Sequence, residues 1–285
     1  MPTTLSPLRY PGGKTTLFAK VADILRQNGL EGITYVEPFA GGAGLAIKLL
    51  LNDNVSSIII NDIDPAIHAF WHSVLNEHDE LCSRIRECKI TTEEREKQIQ
   101  VLKNLKSQSM LDIGFAALFL NRTNVSGILS AGPIGGKEQS GKYRLDARFN
   151  KTGLTAKIVK IARYGHRISL HNLDAIDFID TILPSYEPAN LFLNFDPPYV
   201  KKGQGLYLNH FTIEDHERLC HKVTQCKHCW IVTYDYADII LDLYASFSYE
   251  RIQLNHSAGN MKKGEEIIIY SHNLKAPNLL TCITN

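Results

Sequence analysis

The stretch Tyr35-Val36-Glu37-Pro38-Phe39-Ala40-Gly41-Gly42-Ala43-Gly44 runs from a β-rich segment, through a glycine-rich turn, into a helix beginning near Leu45. Glycines at such a turn let the main chain pass close to a bound nucleoside, and the free N–H groups of the helix N-terminus face it. The next apolar run, Ser57–Asn61, ends in Asp62, about twenty residues on, where an acid accepts both hydroxyls of a ribose. A tight strand-to-helix turn accounts for the glycines alone; the strand before and the acid after favour a nucleoside-containing cofactor. The spacing is not Gly-x-Gly-x-x-Gly, which argues against a dinucleotide.

Outward from this turn, β-rich runs alternate with helical patterns. Candidate strands are Thr34–Glu37, Ser57–Asn61, Ile168–His171, Leu191–Phe195, 230–234, 249–256 and 265–272. The second and fourth are nearly continuous apolar runs, as in parallel strands covered on both faces. Caps place helices between them. Asp64 precedes Pro65 and a helix running to Leu75; Thr91 with Glu94 and Thr212 with Asp215 have capping-box spacing; Gly165 can end a helix through Ile158 and Ala162. The expected fold is α/β, a doubly wound, mostly parallel sheet whose last two strands form an antiparallel hairpin turning at Met261-Lys262-Lys263-Gly264.

Residues 67–163 break the alternation. They read as largely helical, then glycine-rich over 126–141, then basic, and suggest a subdomain inserted between the second and third strands. The expected division is a catalytic domain of 1–66 and 164–285 around that insert. Over 285 residues, 44% hydrophobic and 21% charged, the net charge is only +1. Yet between Lys137 and Arg167 nine basic side chains, Lys137, Lys142, Arg144 and Arg148 among them, stand against the acids Glu138 and Asp146. Such a local excess suits a phosphate-backbone contact face, or simply a solvated helix face. No apolar run reaches the roughly 18 residues of a membrane span, and Met1-Pro2-Thr3-Thr4 does not open a signal peptide, so a cytoplasmic protein is expected.

Two segments invite metal or phosphate readings. Cys226 and Cys229 lie near Cys220, His221 and His228, but no second ligand pair stands at zinc spacing, so no metal is expected. Leu8-Arg9-Tyr10-Pro11-Gly12-Gly13-Lys14-Thr15 lacks the first glycine of a phosphate-binding loop and has no strand before it.

The strand Leu191-Phe192-Leu193-Asn194-Phe195 delivers Asp196-Pro197-Pro198-Tyr199 at its carboxyl edge, where open α/β sheets bind ligands. The two prolines remove two N–H donors and leave carbonyls that only accept. An aromatic amino group is a weak nucleophile because its lone pair is delocalised. The Asp196 carboxylate and the Pro197 carbonyl can accept its two N–H bonds and free that lone pair to attack a methyl group held in line. An ordinary post-strand turn is the alternative for the tetrapeptide by itself.

With both motifs in place, the chain resembles the Dam-like DNA adenine methylases. In that family's order come Tyr10-Pro11-Gly12-Gly13-Lys14, then Glu37 to Gly44, then Asn61-Asp62-Ile63-Asp64, then an inserted region with Phe119-Leu120-Asn121-Arg122-Thr123, then Asp196 to Tyr199. The resemblance implies a Rossmann-like seven-strand methyltransferase sheet with an inserted, mainly helical target-recognition subdomain. It implies S-adenosyl-L-methionine held by Tyr10, Lys14, Glu37, Phe39, Gly41, Gly44, Asp62, Asp174 and Asp196. Asp196, Pro197, Pro198 and Tyr199 would act on an adenine flipped out of double-stranded DNA, with Tyr199 stacked on it and Phe211 nearby. Arg122, Asn124, Lys137, Lys142, Arg144 and Arg148 are the candidate DNA contacts. The run Asn124-Val125-Ser126-Gly127-Ile128-Leu129-Ser130-Ala131-Gly132 lacks the arginine that GATC-specific members carry, so that recognition sequence is not implied. A monomer is the default expectation, and a cognate restriction endonuclease is a candidate partner. N4-cytosine methylation, an RNA or protein acceptor, and a non-catalytic binding module are the competing readings.

Overall fold

The computed structural model describes residues 4–10, 12–200, 211–255 and 263–275, with side chains left out at 253–255, 263 and 264. Pro11, His210, Met261, Lys262, Cys282 and the last residue of the 249–256 run lie outside the described residues.

Seven strands form one sheet: β1 Thr34–Glu37, β2 Ser57–Asn61, β3 Ile168–His171, β4 Leu191–Phe195, β5 Cys229–Asp235, β6 Ser248–Asn255 and β7 Lys263–Tyr270. Their order is β3-β2-β1-β4-β5-β7-β6. The first five are parallel, and β7 runs antiparallel between β5 and β6. The antiparallel hairpin is therefore present, its second strand beginning two residues earlier than the sequence suggests and ending at Tyr270, with Ser271 and His272 past its end. β5 extends the expected 230–234 by one residue each way.

Side-chain alternation along the strands builds two cores. Tyr35, Ile58, Ile60, Phe192, Ile231 and Ile268 face one side; Val36, Ile59, Leu193, Val232, Ile267 and Ile269 face the other. β4 is buried along its whole length, which explains its unbroken apolar pattern. The first face is covered by α1 (Phe18–Gln27), α2 (Gly44–Leu51) and the helices between β2 and β3. Those are α3 (Pro65–Asn76), α4 (His78–Glu87), α5 (Thr92–Lys103), α6 (Met110–Thr123) and α7 (Lys151–Ala162). The second face is covered by α8 (Ala175–Thr181), α9 (Ile213–Thr224) and α10 (Asp238–Leu243).

The caps behave as their chemistry demands. Asp64 accepts from Ala66 N–H ahead of Pro65, Thr91 accepts from Glu94 N–H, and Thr212 and Asp215 close a full capping box. Gly165 does not end α7: that helix stops at Ala162, and the chain stays right-handed through Arg163 before Gly165 opens a 3-10 turn. α6 is buried from Ile113 to Asn121 and lies hard against α3. A Cβ at Gly114 would fall 2.6 Å from the Ala69 carbonyl oxygen, so only glycine permits this approach. The same hydrophobic cluster runs from the sheet through α3, α4, α6 and α7. No described helix is long and apolar enough to cross a membrane.

β1 and β4 are hydrogen-bonded neighbours, with Val36 level with Leu193. From β1 the chain winds toward β2 and β3; from β4 it winds the other way, toward β5. The crevice at such a reversal is where doubly wound sheets bind ligands. Both motifs, the glycine turn after β1 and Asp196 to Tyr199 after β4, open onto it.

Candidate active site

The glycine turn is shaped by φ. Gly41 sits at φ +47° and Ala43 at φ +44°, and a Cβ at position 41 would lie 2.6 Å from the Tyr10 ring. Tyr10 therefore covers this turn. Gly41 N–H donates to Asp62 Oδ2 at 2.7 Å, and Asp64 N–H donates to Asp62 Oδ1 at 2.9 Å. Burial nonetheless pushes the Asp62 carboxyl up to about 6, against the pull of those two bonds. Trp71 Nε1–H donates to the Gly41 carbonyl at 2.9 Å. Gly44 is the first residue of α2.

Asn61, fully buried at the end of β2, ties three loops together. Its amide donates to the Pro38 and Leu173 carbonyls, both at 3.0 Å, and its Oδ1 accepts from Leu173 N–H at 2.9 Å. Two places beyond Asn172, Asp174 caps α8 by accepting from Ile176 N–H at 2.8 Å. The carboxyl edges of β1, β2 and β3 are held as one rim. Glu37 lies below it, buried, and accepts from the Tyr35 hydroxyl at 3.1 Å. Burial raises its carboxyl to about 8; the Tyr35 bond opposes this, and the negative charge of Asp196 adds to it.

Asp196 is held from two sides. Lys14 Nζ lies 2.8 Å from both of its carboxylate oxygens and also donates to the Gly12 carbonyl at 2.8 Å. Thr233 on β5 donates its hydroxyl to Asp196 Oδ1 at 2.8 Å. Lys14 is almost wholly enclosed (5% exposed), while Asp196 keeps 23% of its side chain open to the crevice. Pro197 and Pro198 are buried and leave the tetrapeptide little room to move. Tyr199 is turned inward: its hydroxyl donates to Glu266 Oε2 at 2.7 Å, and its ring lies 4.9 Å from Lys14 Nζ. An aromatic series continues from it through Tyr234, His216 and Phe211 to Phe39, with ring centroids 5.4 to 6.3 Å apart.

The inserted residues divide in two. Lys137, Lys142, Arg144 and Arg148 are exposed, and Lys142 and Arg148 flank the exposed Tyr143 ring at 5.7 and 5.8 Å. Arg122 and Asn124 turn inward. The Arg122 guanidinium donates to the Pro7 carbonyl, and burial, with Arg9 and Arg148 nearby, lowers it to about 10. The Asn124 amide donates to the Ile128 and Leu129 carbonyls, and its Oδ1 accepts from Arg95 Nε. Burial first, and Arg122 second, lower Lys157, and Arg9, Arg122, Arg148 and Lys157 make a crowd of like charge beside Ser6 and Pro7. An anion relieves such crowding.

Cys220 and Cys226 donate their thiols to the Leu243 and Lys222 carbonyls. Among the described residues no group of three or more His, Cys, Asp or Glu side chains is placed to hold a metal ion. Thr233, Glu266 and Arg9 carry no assignment from the sequence. A threonine inside Trp230-Ile231-Val232-Thr233-Tyr234, and an acid opening Glu266-Ile267-Ile268-Ile269, are the signals that would have found the first two.

A doubly wound sheet that opens a partly exposed carboxylate beside a glycine turn at its switch point has the ligand-binding arrangement of an α/β enzyme. The chain belongs to the D12 class N6 adenine-specific DNA methyltransferases, whose family model matches residues 10–257. It is 25% identical over 207 residues to the Type II methyltransferase M.MjaIII of Methanocaldococcus jannaschii, covering 67% of this chain and 68% of that one. Among solved structures, a Pyrococcus horikoshii protein named as an RNA methyltransferase superposes with a TM-score of 0.42 at 7% identity, over 95% of this chain and 90% of that one. The rRNA methyltransferase aviRa of Streptomyces viridochromogenes gives 0.39 at 12% identity, over 93% and 87%.

Proposed function

We propose that this enzyme transfers a methyl group from S-adenosyl-L-methionine to N6 of an adenine flipped out of double-stranded DNA, at a specific site. The observation that carries the reading is Asp196 itself, held by Thr233 and Lys14 yet partly open, beside the glycine turn. The cofactor supplies an electrophilic methyl on a sulfonium centre.

The residues present fit such a cofactor. Glu37 is buried and Asp62 half-buried, and desolvation pushes both carboxyls upward. A ligand bearing positive charge and ribose hydroxyls suits both. Tyr10, Phe39, Gly41, Gly44 and Asp174 complete the set around it, with Lys14 and Asp196 at its inner end. On the acceptor side, Asp196 and the Pro197 carbonyl take the amine N–H bonds, which aims the nitrogen lone pair, and Asp196 stabilises the charge that develops there. The buried prolines hold both acceptors still. Tyr199 and Phe211 wall the base pocket.

Residues 67–163 serve as the target-recognition insert on a catalytic body of 1–66 and 164–285. Lys137, Lys142, Arg144 and Arg148 contact phosphates, while Arg122 and Asn124 hold the frame that presents them. The Type II name of the archaeal relative supports a restriction-modification role, with a cognate endonuclease as partner and a monomeric enzyme.

The test is to incubate the protein with methyl-labelled cofactor and mixed-sequence duplex DNA, then separate the nucleosides. Label in N6-methyladenine is expected, and Asp196→Ala abolishes it while cofactor binding survives. Label in N4-methylcytosine overturns the base assignment. No label in DNA, with the donor bound, moves the search to RNA or protein acceptors.

A further inference from the structure

Glu266 lies on β7 with none of its side chain exposed, in a strand that continues Ile267-Ile268-Ile269. Burying a carboxylate there is costly unless charge and hydrogen bonds repay it, and an apolar residue would serve packing better. Tyr199 and Lys14 are among its partners. Tyr199 donates its hydroxyl to Oε2 at 2.7 Å, and the Lys14 ammonium stands 3.8 Å from the same oxygen. Lys14 is thus shared unequally by two carboxylates, bonded to Asp196 at 2.8 Å and one short step from Glu266.

The sharing matters because Lys14 and a substrate amine compete for the same acceptor. A carboxylate offers about four lone-pair positions. Thr233 takes one on Oδ1, and Lys14 lies against both oxygens. An amine that takes the remaining position draws on oxygens already bonded to Lys14, and Glu266 offers the enclosed ammonium a second anion.

We propose that Glu266 is a positioning residue of the transfer site, taking over the Lys14 ammonium when the target amine reaches Asp196. Closing 3.8 Å to the usual charge-assisted distance of about 2.8 Å requires only a side-chain adjustment of Lys14. The Tyr199 bond fixes Glu266 for this, and links the base pocket to the lysine. This inference rests on Asp196 being the acceptor of the target amine.

The experiment is a double-mutant cycle on Lys14 and Glu266, read in single-turnover methyl transfer with saturating cofactor. Glu266→Gln, nearly isosteric, should slow transfer by about tenfold or more while the KM for cofactor stays within about twofold. In a Lys14→Met background the same change should alter the rate by less than about twofold, because Gln keeps an acceptor for the Tyr199 hydroxyl and only the contact with Lys14 is lost. Losses that multiply across the two positions overturn the proposal. Thermal unfolding gives a second reading that needs neither DNA nor donor. Lys14→Met removes a cation that both Asp196 and Glu266 contact, so adding Glu266→Gln should raise Tm above that of Lys14→Met alone. A double variant that melts no higher overturns it as well. An absence of label in DNA with the unaltered enzyme would instead sink the transfer reading and leave the unfolding result standing.

Discussion

The side-chain amide of Asn121 makes both main-chain hydrogen bonds of Arg9: its Oδ1 accepts from Arg9 N–H at 2.7 Å, and its Nδ2 donates to the Arg9 carbonyl at 2.7 Å. A second amide hydrogen donates to the Gly127 carbonyl at 2.8 Å. One buried residue at the end of α6 thus fastens the N-terminal segment and the glycine-rich loop to each other. Five residues after Arg9 comes Lys14. We predict that Asn121→Ala costs on the order of 3 kcal/mol by stranding these main-chain groups. It should also slow methyl transfer more than it weakens cofactor binding; unfolding curves and single-turnover rates check the two parts.

Arg122 and Lys142 carry the same charge and should respond oppositely. Arg122 is spent on the Pro7 carbonyl, whereas Lys142 is exposed beside Tyr143. Arg122→Ala should lower Tm. Lys142→Ala should leave Tm unchanged and reduce the salt slope of DNA binding by about 1. Titrations at several salt concentrations measure the slope, and an unchanged slope would remove Lys142 from the phosphate contacts.

Glu37 makes stability depend on pH. Its carboxyl titrates near 4.5 when unfolded and at about 8 in the fold, so the folded protein binds the extra proton between those values. Stability from this group is full below about 4.5 and declines as pH rises through about 8. Glu37→Gln mimics the protonated form and should change little at pH 5. At pH 9 it should raise Tm, by about 2–4 °C for each kcal/mol recovered. Equal Tm differences at both pH values would show that Glu37 is ionised throughout.

The Gly41 turn offers a further test. Gly41→Ala places a methyl group at positive φ and 2.6 Å from the Tyr10 ring. The left-handed backbone costs roughly 1–2 kcal/mol, and the contact adds to it. Cofactor affinity should fall accordingly. Tyr10→Ala in the same chain should recover the contact cost in stability but not the backbone cost, which thermal unfolding of the double variant beside Tyr10→Ala alone would resolve.

What the sequence discloses and what it conceals follow the distance over which the information is written. The glycine turn, Asp62 and the tetrapeptide after β4 are local patterns, and the switch point brings them together because their strands are neighbours. Thr233 and Glu266 are single polar residues in apolar strands, and nothing near them in sequence names their partners. The reading of Arg122 and Asn124 as surface contacts meets a similar limit. A cation in a basic region reads the same whether it meets phosphate or a carbonyl. The unbroken apolar run from Phe115 to Leu120 was the available sign that α6 is buried, and that the polar residues ending it face inward.

The position of β7 between β5 and β6 bears on the order in which the molecule is made. Lys14 emerges from the ribosome 182 residues before Asp196, and β7, which closes the gap between β5 and β6, comes later still. Until that strand is threaded into place, neither the lysine nor the Tyr199 hydroxyl has Glu266 beside it. A nascent chain could already have its glycine turn and yet be unable to modify anything. Competence for chemistry would then arrive in one late event, coupled to completion of the fold, so that a prematurely ended polypeptide is inert.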